Sequence, residues 1–418
     1  MSSISRIHAR EVLDSRGKPT VEVEVTCSDG AFGRAIVPSG ASTGAAEALE
    51  LRDTHLAWYD GQGVQQAVDN VNKTLGPALL GQNANDQRAI DTRLLQLDPS
   101  PRKSTLGGNA LLGVSLATAH AAAASQQVPL YRHINSLLPT RSPAMPLPMT
   151  NMISGGLHAG GNLDFQDVLI APIGAPDYRT GLEWIVRVYR RLGELLTRAG
   201  YEGRLVGDEG GYGPRLESNR QAVEFVVRAI EAAKLRPGED VTIALDVAAT
   251  HFLQHDGSYR LVTEKDTTLT SAEMIDRLEA WVGEFPITSV EDGLAEEDWI
   301  GWQELTRRLG DRIQLVGDDL FTTNEQRIAK GIELRVGNSV LIKVNQIGTL
   351  TEALRAIAVA RTAGYSLVVS ARSGETEDTT IADLAVGVAA EQIKIGSIVR
   401  SERLAKYNQL LRIAEAFA

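Results

Sequence analysis

The sequence predicts an α/β protein: a (β/α)8-type barrel preceded by a smaller α+β domain. Two observations carry this. Short apolar runs edged by polar residues recur eight times: "FQDVLIA", "RLVGDEGG", "VTIALDV", "ITSVEDG", "IQLVGDD", "VLIKVN", "LVVSAR" and "QIKIGS". From Glu291 the polar tips Asp318, Lys343, Ser370 and Lys394 follow at steps of 27, 25, 27 and 24, with helical patterns such as "TLTEALRAIAVARTAG" between them. That step is the length of one strand plus one helix, so eight such units are expected to close a barrel.

Taken in order, the first 138 residues hold the alternating strands "TVEVEVTC" and "AFGRAIV", then helical patterns at "GVQQAVDNVNKTL" and "NALLGVSLATAHAAAA". The Pro-rich "LPTRSPAMPLPM", Leu138 to Met149, reads as the junction, because repeated proline stops a helix. The expected domains are 1–138, an α+β cap, and 139–418, the barrel.

Composition narrows the function. The chain has 418 residues, 43% of them hydrophobic, and a net charge of −11. That charge repels nucleic acid and anionic membrane alike, so the expected partner is a small molecule. Cys27 is the only cysteine, which excludes an intrachain disulfide and a thiolate metal site. With no signal-peptide pattern and no apolar stretch of spanning length, a cytoplasmic protein is expected.

In a βα barrel, ligand-binding groups sit at the C-terminal ends of the strands. The tips here carry Asp167, Asp208, Glu209, Asp246, Glu291, Asp318, Lys343, Arg372 and Lys394. Asp246, Glu291 and Asp318 fall on three successive tips, "LDV", "VED" and "GDD". Three carboxylates facing one cavity need a cation, and an all-oxygen set suits Mg²⁺. Lys343 and Lys394 interrupt apolar strands, where a lysine is costly unless paired or used. Crowding by the cation and Lys394 is expected to favour a neutral amine at Lys343, a candidate base. Arg372 and Ser373 fit a phosphate, while Glu375, Glu377 and Asp378 are expected to cap the next helix and orient Arg372. The Gly-rich "VPSGASTGAAE" (Val37 to Glu47) and "SGGLHAGGN" (Ser154 to Asn162, with His158) are candidate lids.

These motifs, with "EVLDSRGKPTVEVEV", "PSGASTG", "GDEGGY", "IKVNQIGTLTE", "SGETEDTTIADLAVG" and "RSERLAKYNQLLRI", resemble enolase (phosphopyruvate hydratase) across essentially the whole chain. The resemblance implies a small α+β domain on a modified (β/α)8 barrel, two Mg²⁺ ions, a homodimer or higher homo-oligomer, and interconversion of 2-phosphoglycerate with phosphoenolpyruvate. It implies Asp246, Glu291 and Asp318 as ligands of the first ion and Ser39 as a ligand of the second. It further implies Lys343 as base, Glu209 as acid, Lys394 on the substrate carboxylate, Arg372 and Ser373 on the phosphate, and His158 closing over it, with Asp167 and His158 among the catalytic residues and Gln166, Ser39 and His158 among those that bind substrate.

Five positions depart from the family pattern: Ala371 stands for His, Asp167 for Glu, Leu157 for a small or polar residue, His251 for Glu and Ile395 for Thr. Ala371 is expected to leave space, and Asp167 to retract a carboxylate by one methylene. The alternatives are therefore an enolase paralogue acting on a phosphonate-bearing analogue, similar to carboxyphosphonoenolpyruvate synthase, and a non-catalytic binding protein of the same fold.

Overall fold

The structure is a computed structural model that describes residues 2–40, 44–55 and 57–417. Its N-terminal part is an antiparallel meander of β1 (Ile4–Leu13), β2 (Pro19–Cys27) and β3 (Phe32–Ile36). The alternation in β2 works as expected: Val21, Val23 and Val25 are fully buried, while Glu22 and Glu24 turn to the other face and pair with Arg10 of β1. β1 itself has no clean apolar alternation, which is why its polar sequence gave no strand signal. The buried face packs on the helix Gly108–Ser125, whose run of alanines lets it sit buried on nearly every side.

Eight strands close the barrel: β4 (Leu147–Ser154), β5 (Asp167–Ala171), β6 (Thr242–Asp246), β9 (Ile287–Glu291), β10 (Gln314–Gly317), β11 (Ser339–Ile342), β12 (Ser366–Ser370) and β13 (Gln392–Gly396). A small outer hairpin, β7 (Tyr259–Leu261) with β8 (Thr267–Leu269), lies between β6 and β9 in sequence. The order around the barrel is β10-β11-β12-β13-β4-β5-β6-β9.

The count of eight holds, but one identity and the regular repeat do not. "RLVGDEGG" forms a turn closed by an isolated bridge between Val206 and Tyr212. The missing strand is β4, whose first residues were read as junction. Pro148 is tolerated there, opposite Ile393 in the parallel pair with β13. β4 and β5 are antiparallel, as are β5 and β6, and the helices Tyr178–Arg198 and Asn219–Ala232 both fall between β5 and β6. Only the later part of the chain is a run of βα units, which is where the sequence spacing was regular.

Inside the barrel, Met149, Leu169, Ala171, Ala244, Val316, Leu341 and Val368 form a core separate from the outer one. Successive side chains alternate faces along a strand, so the residue two further on from each of these points into the barrel mouth. Those residues are Asn151, Asp246, Asp318, Lys343 and Ser370. In β5, which runs the other way, the corresponding step from Leu169 leads back to Asp167. Among the described residues no helix is long and apolar enough to cross a membrane.

Candidate active site

Strand register brings the charged tips together. Asp246 is the Cα partner of both Asp167 and Glu291, and Ser370 is the partner of Lys394. All are buried. Lys394 Nζ lies 2.7 Å from Asp246 Oδ2 and 2.8 Å from Glu291 Oε2, so one ammonium bridges two of the three expected cation ligands. The third, Asp318, accepts from Lys343 Nζ through Oδ2 and from Gln346 Nε2 through Oδ1 at 2.8 Å.

The electrostatics follow from this crowding. Burial and the neighbouring Asp246 carboxylate push Glu291 up to about 8, despite Lys394. Burial opposes charge on Lys343 most strongly, and the Asp318 and Glu291 carboxylates together offset it, so the amine lies above the ordinary lysine value. The charge nearest the amine is the Asp318 carboxylate in direct contact, whereas the neutral amine was expected from a cation on the three acids.

A second group gathers beside it, around Asp167 on β5, the strand next to β6. His158, on the short turn Gly156–Ala159, has Nδ1 2.8 Å from Asp167 Oδ2 and Nε2 3.8 Å from Glu209 Oε1. Asn151 donates to the other Asp167 oxygen and, at 3.0 Å, to Ser154 Oγ. Burial would lower the imidazole, but Asp167 and Glu209 carry it to about 9. Glu209 itself lies below its ordinary value: burial works against that, and His158 and Arg403 overcome it. Its loop is pinned to the His158 turn by the Asp208 N–H on His158 O at 2.9 Å.

Arg372 and Ser373 leave the end of β12 as expected, but the carboxylate on the guanidinium is not one of the three acids that follow. It is Glu47, with Nη1 to Oε2 at 3.0 Å, and Asn345 Oδ1 lies at 3.0 Å from the same nitrogen. Glu375 accepts from the Arg372 backbone N–H and pairs with Lys406, and Asp378 accepts from Thr380 N at the next helix start. Ser39 Oγ donates to Asp14 Oδ2 at 2.8 Å and accepts from Arg16 at 2.9 Å. In the Val37–Glu47 segment, residues 41–43 lie outside the described ones.

Ala371, one of the departures, is 4% exposed and packs against the outer apolar core. Asp167, though short, reaches both His158 and Asn151. Ile395 is fully buried in the same outer core, His251 is exposed, and Leu157 is half exposed on the His158 turn.

Among the described residues, two groups have ligand atoms within 4.8 Å of one another and could hold a metal ion: His158, Asp167 and Glu209, and Asp292, Asp318 and Asp319. The second was visible in the doubled acids of "VED" and "GDD", of which only one member each was singled out. Asp292 accepts the N–H groups of Asp318 and Asp319 at 2.9 and 2.8 Å and so sets the β10 tip. The expected set Asp246, Glu291 and Asp318 is not among these groups, its oxygens being held by Lys394 and Lys343, but it offers the oxygen-only chemistry of a hard divalent cation, and Glu291 Oε1 is buried without a hydrogen-bond partner. Residues 142–418 match the family described as "Enolase, C-terminal TIM barrel domain", and residues 4–134 match "Enolase, N-terminal domain".

Proposed function

The chain belongs to the enolase family, and we propose that within this lyase-type superfamily it interconverts 2-phosphoglycerate and phosphoenolpyruvate with Mg²⁺. The observation that carries the reading is the convergence of two groups at the barrel mouth: Lys343 and Lys394 with Asp246, Glu291 and Asp318, and, next to Asp246 through the β5–β6 pairing, Asp167 with His158 and Glu209. An elimination across adjacent carbons needs a base at one and a proton donor at the other.

In this reading Lys343, once deprotonated, takes the proton from C2 at Nζ. The electron pair left behind forms the double bond as the C3 hydroxyl departs, and Glu209, once protonated, supplies the proton that lets it leave as water. His158, held protonated by Asp167, stands 3.8 Å from Glu209 and would load it through one intervening water. Lys394 holds the substrate carboxylate, whose negative charge grows as the proton leaves. Arg372 and Ser373 hold the phosphate, and Gln166, which donates to Asp246 at 3.1 Å, keeps that acid oriented. Mg²⁺ on Asp246, Glu291 and Asp318 would supply electrostatic stabilisation of the carboxylate's extra charge. A second ion would draw on Ser39, whose hydroxyl would first have to leave Asp14 and Arg16.

One observation favours a larger, phosphonate-bearing substrate as the second reading: Leu157 presents an apolar side chain beside His158. A spectrophotometric assay of phosphoenolpyruvate formation separates the two, run alongside α-proton exchange in deuterated water. Turnover of 2-phosphoglycerate by the wild type, with exchange lost in Lys343→Ala while the fold persists, is expected. No turnover, or exchange unchanged in that variant, refutes the assignment.

A further inference from the structure

Arg403 lies outside the residues given roles so far, yet it is completely buried in the first turn of the helix Ser401–Ala414. Its guanidinium is spent on backbone carbonyls from two strand ends. Nη1 donates to Arg372 O at 2.6 Å and Ile395 O at 3.0 Å, and Nη2 donates to Ser373 O at 2.7 Å. The same Nη1 stands 3.9 Å from Glu209 Oε1. The loop that carries Glu209 reaches this point too, since Ser397 N donates to Glu209 O at 2.8 Å.

Gly396 makes the convergence possible. Its φ is +105°, and a Cβ there would sit 3.0 Å from both Arg403 Cδ and Glu209 O. One planar fork thus fixes the β12 tip and the β13 tip and faces the acid. A lysine has no such fork, because its three donors radiate from one atom.

We infer that Arg403 is a positioning residue that sets the anion-holding pair Arg372–Ser373 and the acid Glu209 relative to one another, without touching Lys343. The inference rests on the proposed reaction for its kinetic consequences. The arrangement makes the two halves of the elimination separable. Lys343 is anchored independently, by Asp318 and by its backbone N–H on Thr323 Oγ1 at 2.9 Å. Loosening Arg403 should therefore slow departure of the hydroxyl and weaken anion binding, while removal of the α-proton continues.

The test uses the full chain with Arg403→Lys, which keeps the charge, and Gly396→Ala, which keeps Arg403 but presses a Cβ against both its Cδ and Glu209 O. Three quantities are measured at saturating Mg²⁺: deuterium exchange at C2 of 2-phosphoglycerate, net phosphoenolpyruvate formation, and affinity for inorganic phosphate by calorimetry. The expected result is a tenfold or greater rise in the ratio of exchange to net turnover, with phosphate affinity reduced several-fold, in whichever variants fold. A merely structural role would lower exchange and turnover in the same proportion, and that outcome overturns the inference. If the wild type neither exchanges nor turns over 2-phosphoglycerate, the reaction assigned above fails. The phosphate measurement then decides alone, and unchanged affinity in the folded variants overturns the positioning role. Should Arg403→Lys not fold, Gly396→Ala carries the same comparison.

Discussion

Replacing Asp167 by Asn should switch His158 from imidazolium to neutral imidazole. His158 is faced by Asp167 from β5 at 2.8 Å and Glu209 from its loop at 3.8 Å, and more distantly by Asp246 from β6. Burial pulls the ring down, and these carboxylates lift it from 6.5 to about 9. A rise of that size is worth about 3 kcal/mol at about 1.4 kcal/mol per pH unit, or roughly 300-fold in favour of the charged ring. An Asn side chain removes the closest charge, and its amide meets a second constraint. Asn151 donates to one Asp167 oxygen, so the Asn carbonyl is drawn there and the amide NH₂ turns toward His158 Nδ1. That nitrogen must then be an acceptor, which only the neutral ring provides. The assay is an NMR titration of the ring ¹H–¹³C signals. The wild type is expected to titrate near 9 and Asp167→Asn at or below 6.5. Stability carries the same sign: a raised histidine stabilises the fold fully below 6.5, and that contribution is lost as pH rises through about 9. A wild-type ring titrating near 6.5, or an unchanged one in the variant, refutes the reasoning.

Mg²⁺ should raise the melting temperature by selective binding to the folded state, worth about 2.7 kcal/mol at a hundred times its dissociation constant. Glu291→Gln, which removes the charge from the carboxylate with a buried unpartnered oxygen, should abolish the shift; a full shift in that variant or in excess chelator counts against the site. Ala371→His should cost about 1–3 kcal/mol by overpacking the outer core, read as a lower melting temperature with no gain in 2-phosphoglycerate turnover. A gain without loss of stability would show that space was present after all.

Much of the site was legible because it is written in period two. Each strand from β9 to β13 ends in a polar residue two positions beyond an inward-facing one, and the regular βα step placed those ends on one rim. Glu291, Asp318, Lys343 and Lys394 came from that pattern, and Asp246 from the apolar run "VTIALDV" that precedes it. What stayed hidden depends on contacts between distant segments. Glu47 and Arg372 are 325 residues apart, and nothing local marks Glu47 as the guanidinium's partner. The strand β4 was hidden for a different reason. Its prolines read as a linker, and only pairing with β13 at one edge and β5 at the other makes Leu147–Ser154 a strand. Glu209 was placed at a strand tip by the apolar "RLV" before it, yet that run closes a turn whose job is to hold the acid against the His158 turn.

The two departures nearest the chemistry bear on the choice between substrates in the same direction. Loss of an imidazole at 371 would favour a bulkier substrate only if it left a void, and Ala371 is instead packed at 4% exposure. Shortening at 167 would weaken the His158–Glu209 group only if the carboxylate lost its partners, and Asp167 keeps hydrogen bonds to both His158 and Asn151. A misplacement of about 1 Å can cost around a hundredfold in rate, so direct contact at 2.8 Å between Asp167 and His158 matters more than the length of the side chain that makes it. Leu157, half exposed on the His158 turn, stays on the side of a larger substrate. Both proposed substrates carry an anionic group at each end, so the charges of the mouth suit either one, and the turnover assay rather than the departures at 371 and 167 decides between them.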